Sequence, residues 1–198
     1  SLLNDSFHRV REAYVAEGNA LLSEMKFVES RAALEKAYAA DSNNADIIWP
    51  YGASLYLVGD VDRGLTVFRR GHERDPLSAT IAGLLGYGLM MRRQYDSAVA
   101  LTRLAIELQP ENLIAHQALG FIYSLKHVPD SALAEFETTF RLDSIGFGGR
   151  SNLVFGYAVA GRWRDADRER ALVERQPLGN SPHFLRMVVH LVYGENDA

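Results

Sequence analysis

Histidines are the residues of this sequence best suited to bind a metal ion or exchange a proton near neutral pH. The chain has 6 histidines and no cysteine, which excludes disulfides, thiolate ligands and cysteine nucleophiles. No two histidines show the H-x-x-x-H spacing that places a pair of ligands on one helix face. His183 and His190 could share a face, but a site would need further ligands from elsewhere. We predict no metal site, no cofactor and no enzymatic activity.

Two other segments carry residues that could bind a ligand. The segment from Gly146 to Ser151 is rich in glycine, but it lacks the Gly-Lys-Ser/Thr ending and the preceding strand of a phosphate-binding loop. We interpret it as a loose connection between helices. Arg69, Arg70, His72 and Arg74 form a small basic cluster. We interpret this cluster as a solvated helix face, with a contact site as the alternative.

Composition restricts the class of protein. The hydrophobic fraction of 47% and the charged fraction of 23% are those of an ordinary globular chain. No apolar stretch approaches the roughly 18–20 residues that cross a bilayer, so membrane insertion is not expected. A net charge of −4 argues against nucleic-acid binding, which usually needs a basic face. The cytoplasm is the favoured location, and export stays open because the chain begins at Ser1 without a methionine.

An internal repeat organises the chain. Glycines recur every 34 residues, at Gly18, Gly52, Gly86 and Gly120, and Val154 takes the fifth place. A small residue recurs 12 positions after each of these, at Ser30, Gly64, Ala98, Ala132 and Ala166. Because no insertion or deletion interrupts the series, we infer five copies of one structural unit.

Each unit contains two stretches with apolar residues three and four positions apart, the pattern of a helix with one buried face. In the third unit these are Ile81–Met91 and Tyr95–Leu108, joined by a polar turn. The glycine and the small residue allow the two helices to approach closely. Bulky side chains are expected beside this contact, at Phe68, Phe136, Tyr95 and Trp163. Because proline removes a backbone donor, Pro50 predicts a helix that begins near Asp46 or bends at Trp49.

This pattern resembles the tetratricopeptide repeat, a 34-residue helix–turn–helix with Leu-Gly, Tyr, Ala, Phe and Pro at fixed offsets. The third unit matches it best, through Leu85, Gly86, Tyr95, Ala98, Ala105 and Pro110. The resemblance implies an all-α fold, a right-handed α-solenoid, with residues 1–198 as a single domain. The repeats would span about 11–44, 45–78, 79–112, 113–146 and 147–180. A last helix over 181–193 would cap the array or belong to a truncated repeat.

In proteins of this family the first helices of the repeats line a concave groove that binds ligands. The resemblance implies that apolar and aromatic side chains, which are favoured at binding surfaces, face the groove here. The predicted peptide-binding residues are Asn19, Trp49, Tyr56, Tyr87, Met90, Met91, Gln117, Phe121, Leu125 and Phe155. We expect six of them to be partly solvent-accessible: Tyr56, Tyr87, Met90, Met91, Phe121 and Phe155. The alternative is that some pack between neighbouring helices.

Members of this family that bind chaperones hold a terminal carboxylate with lysine, arginine and asparagine. Only Asn19 matches that arrangement, because Val15, Pro50, Thr80 and Leu84 occupy the other positions. The expected partner is therefore a protein or peptide with an apolar strand or helix, and the predicted function is a binding scaffold. An alternative is an accessory region of a larger bacterial signalling or transcription-regulatory protein. Its groove would fold against the same chain or pair two copies as a homo-oligomer.

Overall fold

The structure is a computed structural model that describes residues 2–144 and 149–175. Within these ranges all regular secondary structure is α-helical, as the sequence predicts. The predicted helix over 181–193 lies outside the described residues. The helices are α1 Leu2–Ser23, α2 Phe27–Ala40, α3 Ala45–Leu57, α4 Val61–Arg74, α5 Ala79–Met91, α6 Tyr95–Leu108, α7 Leu113–Leu125, α8 Pro129–Leu142, α9 Gly149–Val159 and α10 Trp163–Glu174.

The chain forms two compact units, Ser1–Leu108 with α1 to α6 and Gln109–Ala198 with α7 to α10 among its described residues. In each unit the helices follow one another as antiparallel pairs, and we call the members of a pair its first and second helix. The helix bounds in the third repeat agree with the predicted ones within two residues. The glycine-rich segment is partly helical, since α9 begins at Gly149, which corrects the interpretation of Gly149 to Ser151 as a loose connection.

The starts of the first helices repeat because the same kind of cap repeats. A polar side chain accepts a hydrogen bond from a backbone N–H of the first turn: Asn44 from Asp46 at 2.9 Å, Ser78 from Ile81 at 3.4 Å, and Asn112 from Ala115 at 3.0 Å. Such caps satisfy a donor that has no partner inside the helix. Their spacing of 34 residues fixes where α3, α5 and α7 begin.

The turns between the two helices of a pair also repeat at the level of the backbone. One residue per turn has a positive φ angle of 57° to 83°: Met25, Gly59, Arg93, His127 and Gly161. The N–H of the following residue donates to a carbonyl five positions earlier, as from Asp60 to Leu55 at 2.8 Å and from Gln94 to Leu89 at 2.9 Å. This is the Schellman arrangement that ends a helix, and only two of the five positions are glycine.

The predicted close contact within each pair is present in both units. In the first unit a Cβ atom on Gly52 would lie 2.4 Å from Cζ of Phe68, and in the second a Cβ on Gly120 would lie 2.7 Å from Cε1 of Phe136. Both phenylalanines are fully buried, as predicted. Trp163 differs from the prediction, since it is 48% exposed although Ala166, three residues later, is fully buried.

The helix that contains Pro50 begins at Ala45, one residue before the predicted start. Pro50 lies inside this helix and is fully buried. Its missing N–H removes one backbone bond, the bond that would otherwise reach the carbonyl of Asp46. Pro50 therefore adds an apolar ring to the core and removes only one backbone hydrogen bond of α3.

Candidate functional site

The first helices of the first unit expose large apolar side chains. Trp49 on α3 is 43% exposed, Leu57 at the end of α3 is 52% exposed, and Met91 at the end of α5 is 40% exposed. Asn19 on α1 is exposed too. We call Trp49, Leu57 and Met91 the open face. Leu57 and Met91 occupy the same repeat position, five residues after Gly52 and Gly86.

Tyr56 belongs to the core, which corrects the expectation that it is accessible. Its exposed fraction is 9%, and its ring centroid lies 5.3 Å from that of Phe68. Its hydroxyl donates to the backbone carbonyl of Leu84 at 3.3 Å, and burial raises its pKa. Gly64 and Gly88 leave the space that the ring fills, since a Cβ on either would lie within 2.5 Å of Tyr56.

Met90 is buried to the same degree, at 9% exposed, so the expectation of its accessibility is also wrong. Tyr56 and Met90 share a repeat position, four residues after a buried glycine. At about 100° per residue, a side chain four positions later lies only about 40° from the glycine around the helix, and one five positions later lies about 140° away. Helix geometry therefore explains why Tyr56 and Met90 pack inward while Leu57 and Met91 face outward. We call the inward side the packed face.

Tyr87 and Met91 on α5 are partly accessible, as predicted. Tyr87 is half-buried, its ring centroid lies 6.4 Å from that of Tyr56, and burial raises its pKa. It therefore lies beside the ring of Tyr56 while part of its surface stays accessible to solvent. Its role in binding a peptide stays a prediction.

The second unit has a cluster of three aromatic rings. Half-buried Phe121 on α7 and Phe155 on α9 have ring centroids 5.6 Å apart, and both lie within 6 Å of Phe136 on α8, at 5.1 and 5.8 Å. The partial accessibility predicted for Phe121 and Phe155 is confirmed. Leu125, at the end of α7, is 51% exposed, and Gln117 is half-buried. Leu125 occupies the same repeat position as Leu57 and Met91.

A buried histidine in the second unit has a structural role that the sequence did not reveal. Nδ1 of His116 lies 2.6 Å from a carboxylate oxygen of Glu135, and Nε2 lies 2.9 Å from the carbonyl oxygen of Pro110. Both nitrogens face acceptors, so both must carry a proton to donate. The hydrogen bond to Glu135 accordingly raises the pKa of His116. Glu135 is 19 residues away on α8, so spacing along one helix cannot indicate the pair.

Neither the open face nor the three-ring cluster contains an ionisable group suited to catalysis. Among residues 2–144 and 149–175, no group of three or more His, Asp or Glu side chains is placed to hold a metal ion. In the same ranges no helix has the length and apolar character of a membrane span. The most exposed of the large side chains named above, Trp49, Leu57, Met91 and Leu125, are apolar.

Several solved structures share this arrangement of helices. The tetratricopeptide protein TTC0263 of Thermus thermophilus superposes with a TM-score of 0.80 at 18% identity, over 93% of this chain and 100% of that one. The chain has the tetratricopeptide-type helical repeat fold. Tetratricopeptide-like neighbours also include PilF of Pseudomonas aeruginosa, with a TM-score of 0.66 at 18% identity over 96% of this chain and 86% of that one. MamA of Desulfovibrio magneticus RS-1 has a TM-score of 0.59 at 18% identity, over 83% and 93%. No protein-family model and no curated protein matches the sequence.

Proposed function

We propose that this tetratricopeptide chain is a non-enzymatic scaffold that binds an apolar segment of a partner protein on its first helices. The observation that carries the proposal is the exposure of Trp49, Leu57 and Met91 on α3 and α5 of one compact unit. Aromatic residues and methionine are enriched at protein interfaces, the first for rigid contact area and the second for adaptable packing. An apolar guest would remove this surface from water.

The residues at the positions of a carboxylate clamp favour an apolar guest over a terminal carboxylate. Pro50 and Leu84, at two of the positions where a carboxylate clamp needs charged or amide groups, are buried and apolar. Asn19 is exposed on α1, and a single asparagine offers no positive charge to a carboxylate. Contacts to such a partner would therefore come from apolar area, with Asn19 at most a hydrogen-bonding neighbour.

Tryptophan fluorescence tests this proposal directly. The chain has 2 tryptophans, so in a Trp163→Phe background only Trp49 emits. Peptides selected from a random displayed library on the full chain would be titrated against this variant. We expect a blue shift of Trp49 emission as an apolar peptide covers the ring, and an apolar consensus among the selected peptides.

A pair of variants separates the open face from other exposed apolar residues. Replacing both Leu57 and Met91 by serine should weaken the binding of these peptides about tenfold, since anchors at interface centres commonly contribute 1–2 kcal/mol or more. The control replaces Val28, on the second helix α2, and Leu77, between α4 and α5, by serine as well. These apolar side chains are 63% and 73% exposed and lie outside the open face. Equal losses in the two variants would sink the proposal. Dimers that dissociate only in the Leu57 and Met91 variant would instead identify a second copy as the guest.

A further inference from the structure

A second surface of the first unit, formed mainly by the second helices α2 and α4, contains a cleft of about 290 Å³. We call it the second-helix cleft. Its volume lies just below the range of clefts that hold a drug-sized ligand, so it suits one side chain of a larger partner. It is lined by Glu35, Tyr38, Ala39, Tyr51, Arg63, Thr66, Val67 and Arg70.

One side of the second-helix cleft is a hydrogen-bonded network that holds its shape. Arg63 donates to the carboxylate of Glu35 at 2.6 Å and to the hydroxyl of Tyr51 at 2.7 Å. Arg31 donates to the other carboxylate oxygen of Glu35 at 3.1 Å. The ring of Tyr51 also packs on that of Tyr38, with centroids 4.8 Å apart. These contacts restrain the floor and one rim of the cleft before any partner binds.

Two other groups of the second-helix cleft, the guanidinium of Arg70 and the hydroxyl of Tyr38, lack polar partners among the described residues. Arg70 is exposed, and it forms no ion pair with any residue in the described part of the chain. The hydroxyl of Tyr38 is buried without a hydrogen-bond partner among the same residues. A buried hydroxyl without an acceptor is unfavourable, and an exposed guanidinium can bind a carboxylate through two parallel hydrogen bonds. Arg70 can only donate hydrogen bonds and the hydroxyl of Tyr38 can also donate one, so an acceptor would serve both groups.

The charge around the second-helix cleft is opposite to that of the whole chain. Helix α4 carries four arginines against Asp62 and Glu73, whereas the chain has a net charge of −4. Arg74 is exposed four residues after Arg70, a spacing that places both on the same side of α4. An extended acidic ligand would contact more of this surface than a small free anion. The net charge of −4 of the whole chain disfavours an extended polyanion such as nucleic acid.

We propose that the second-helix cleft docks an acidic peptide segment of a partner protein, one of whose carboxylates binds Arg70. The arginine supplies a charged anchor of the type that often dominates interfaces. The segment would run along α4 past Arg74. This surface is separate from the open face, so the chain can hold an apolar and an acidic partner segment independently.

Subtractive selection of peptides tests the proposal. A displayed library of random peptides would be bound to the full chain, and the bound fraction would be depleted on an Arg70→Gln variant. We expect the remaining peptides to share an aspartate or glutamate. Replacing that residue by its amide should weaken binding at least about tenfold, as for a charge-assisted contact. Remaining peptides without a shared acidic residue, or the absence of any after depletion, would overturn the proposal.

Two further variants keep the result specific to the second-helix cleft. Ala39→Glu places a competing carboxylate at an exposed position of the cleft and should weaken the same peptides to a similar extent. Arg9→Gln removes an equal charge from an exposed position on α1 and should change their affinity less than about twofold at fixed ionic strength. An equal loss in Arg9→Gln would mean nonspecific attraction and would overturn the proposal.

Competition with free glutarate tests whether the site binds a small anion instead. If glutarate displaces the peptides at equal concentration, the proposal is overturned. The Leu57 and Met91 variant should bind these peptides normally, so either proposal can fail alone.

Discussion

The packed face and the open face of the first helices carry similar side chains but differ in solvent exposure. Tyr56 and Met90 are each 9% exposed, whereas the next residues along the chain, Leu57 and Met91, are 52% and 40% exposed. Both pairs are large and apolar, so hydrophobicity does not distinguish them. The angle from the buried glycine does, because one step along a helix turns the side chain by about 100°. For these four residues the angle is therefore a better guide than residue type, whereas Trp49, about 60° from Gly52, is exposed near the start of α3.

The strongest test of this difference compares Tyr56→Ala with Leu57→Ala. Loss of a buried aromatic side chain should lower the free energy of unfolding by about 3–5 kcal/mol, whereas truncation of the exposed leucine should change it by about 0.5 kcal/mol or less. Urea denaturation followed by circular dichroism would measure both values. Similar effects at the two positions would show that the assignment of the two faces is wrong.

His116 is a polar residue among the buried side chains of a first helix, four residues before Gly120. Its pKa in the folded chain is raised above the unfolded value, chiefly by Glu135. The stabilisation should therefore be fully present below about pH 6.5, the unfolded pKa, and should be lost as the pH rises through the folded value. Hydrogen bonds to charged groups typically contribute about 1.5–3 kcal/mol.

A His116→Gln variant should be less stable than the parent chain at pH 5.5 and should lose this part of the pH dependence. Urea denaturation at pH 5.5 and pH 8.5 would measure the difference. The pKa of His116, followed by NMR, should fall in a Glu135→Gln variant that keeps the neighbouring backbone. A parent chain whose stability rises between these pH values, with no change on replacing His116, would contradict the assigned protonation.

The smallest expected effect lies in the turns, which belong to neither face. Arg93 has a φ angle of 58°, a conformation that disfavours side chains by roughly 1–2 kcal/mol but not glycine. Glycine loses more backbone entropy on folding, so Arg93→Gly should raise the free energy of unfolding by only about 0.5–1 kcal/mol. Gly59→Ala, at the equivalent position with a φ of 83°, should lower it by a similar amount. Equal signs for the two variants in thermal melts would contradict the turn assignment.

The sequence predicts the elements of this fold better than the orientation of their side chains. The glycine period and the prolines place the helices of the third repeat within two residues, because local pattern and backbone chemistry decide these features. The assignment of Tyr56 to the groove rests on resemblance to a family, which does not account for the space that Gly64 and Gly88 leave for its ring.

Contacts between distant residues are not predictable from spacing. Glu35 and Arg63 are 28 residues apart, and His116 and Glu135 are 19 residues apart. Each pair joins different helices, so no single-helix pattern contains it. The second-helix cleft depends on such contacts, and the sequence offers only the basic cluster around Arg70 as a sign of it. Long-range polar pairs thus require the packed structure.

The repeated left-handed turn has a consequence for how the chain can change over time. In this turn the N–H of the residue with positive φ donates to the carbonyl three positions earlier, and the next N–H donates to the carbonyl five positions earlier. Both hydrogen bonds form whether the residue is Met25, Gly59 or His127. An exchange between glycine and another residue there alters stability by an amount that one additional buried methyl group could offset. Each turn can therefore lose its glycine without loss of register, one repeat at a time. The backbone of the turn therefore keeps the period, whichever side chain stands at this position.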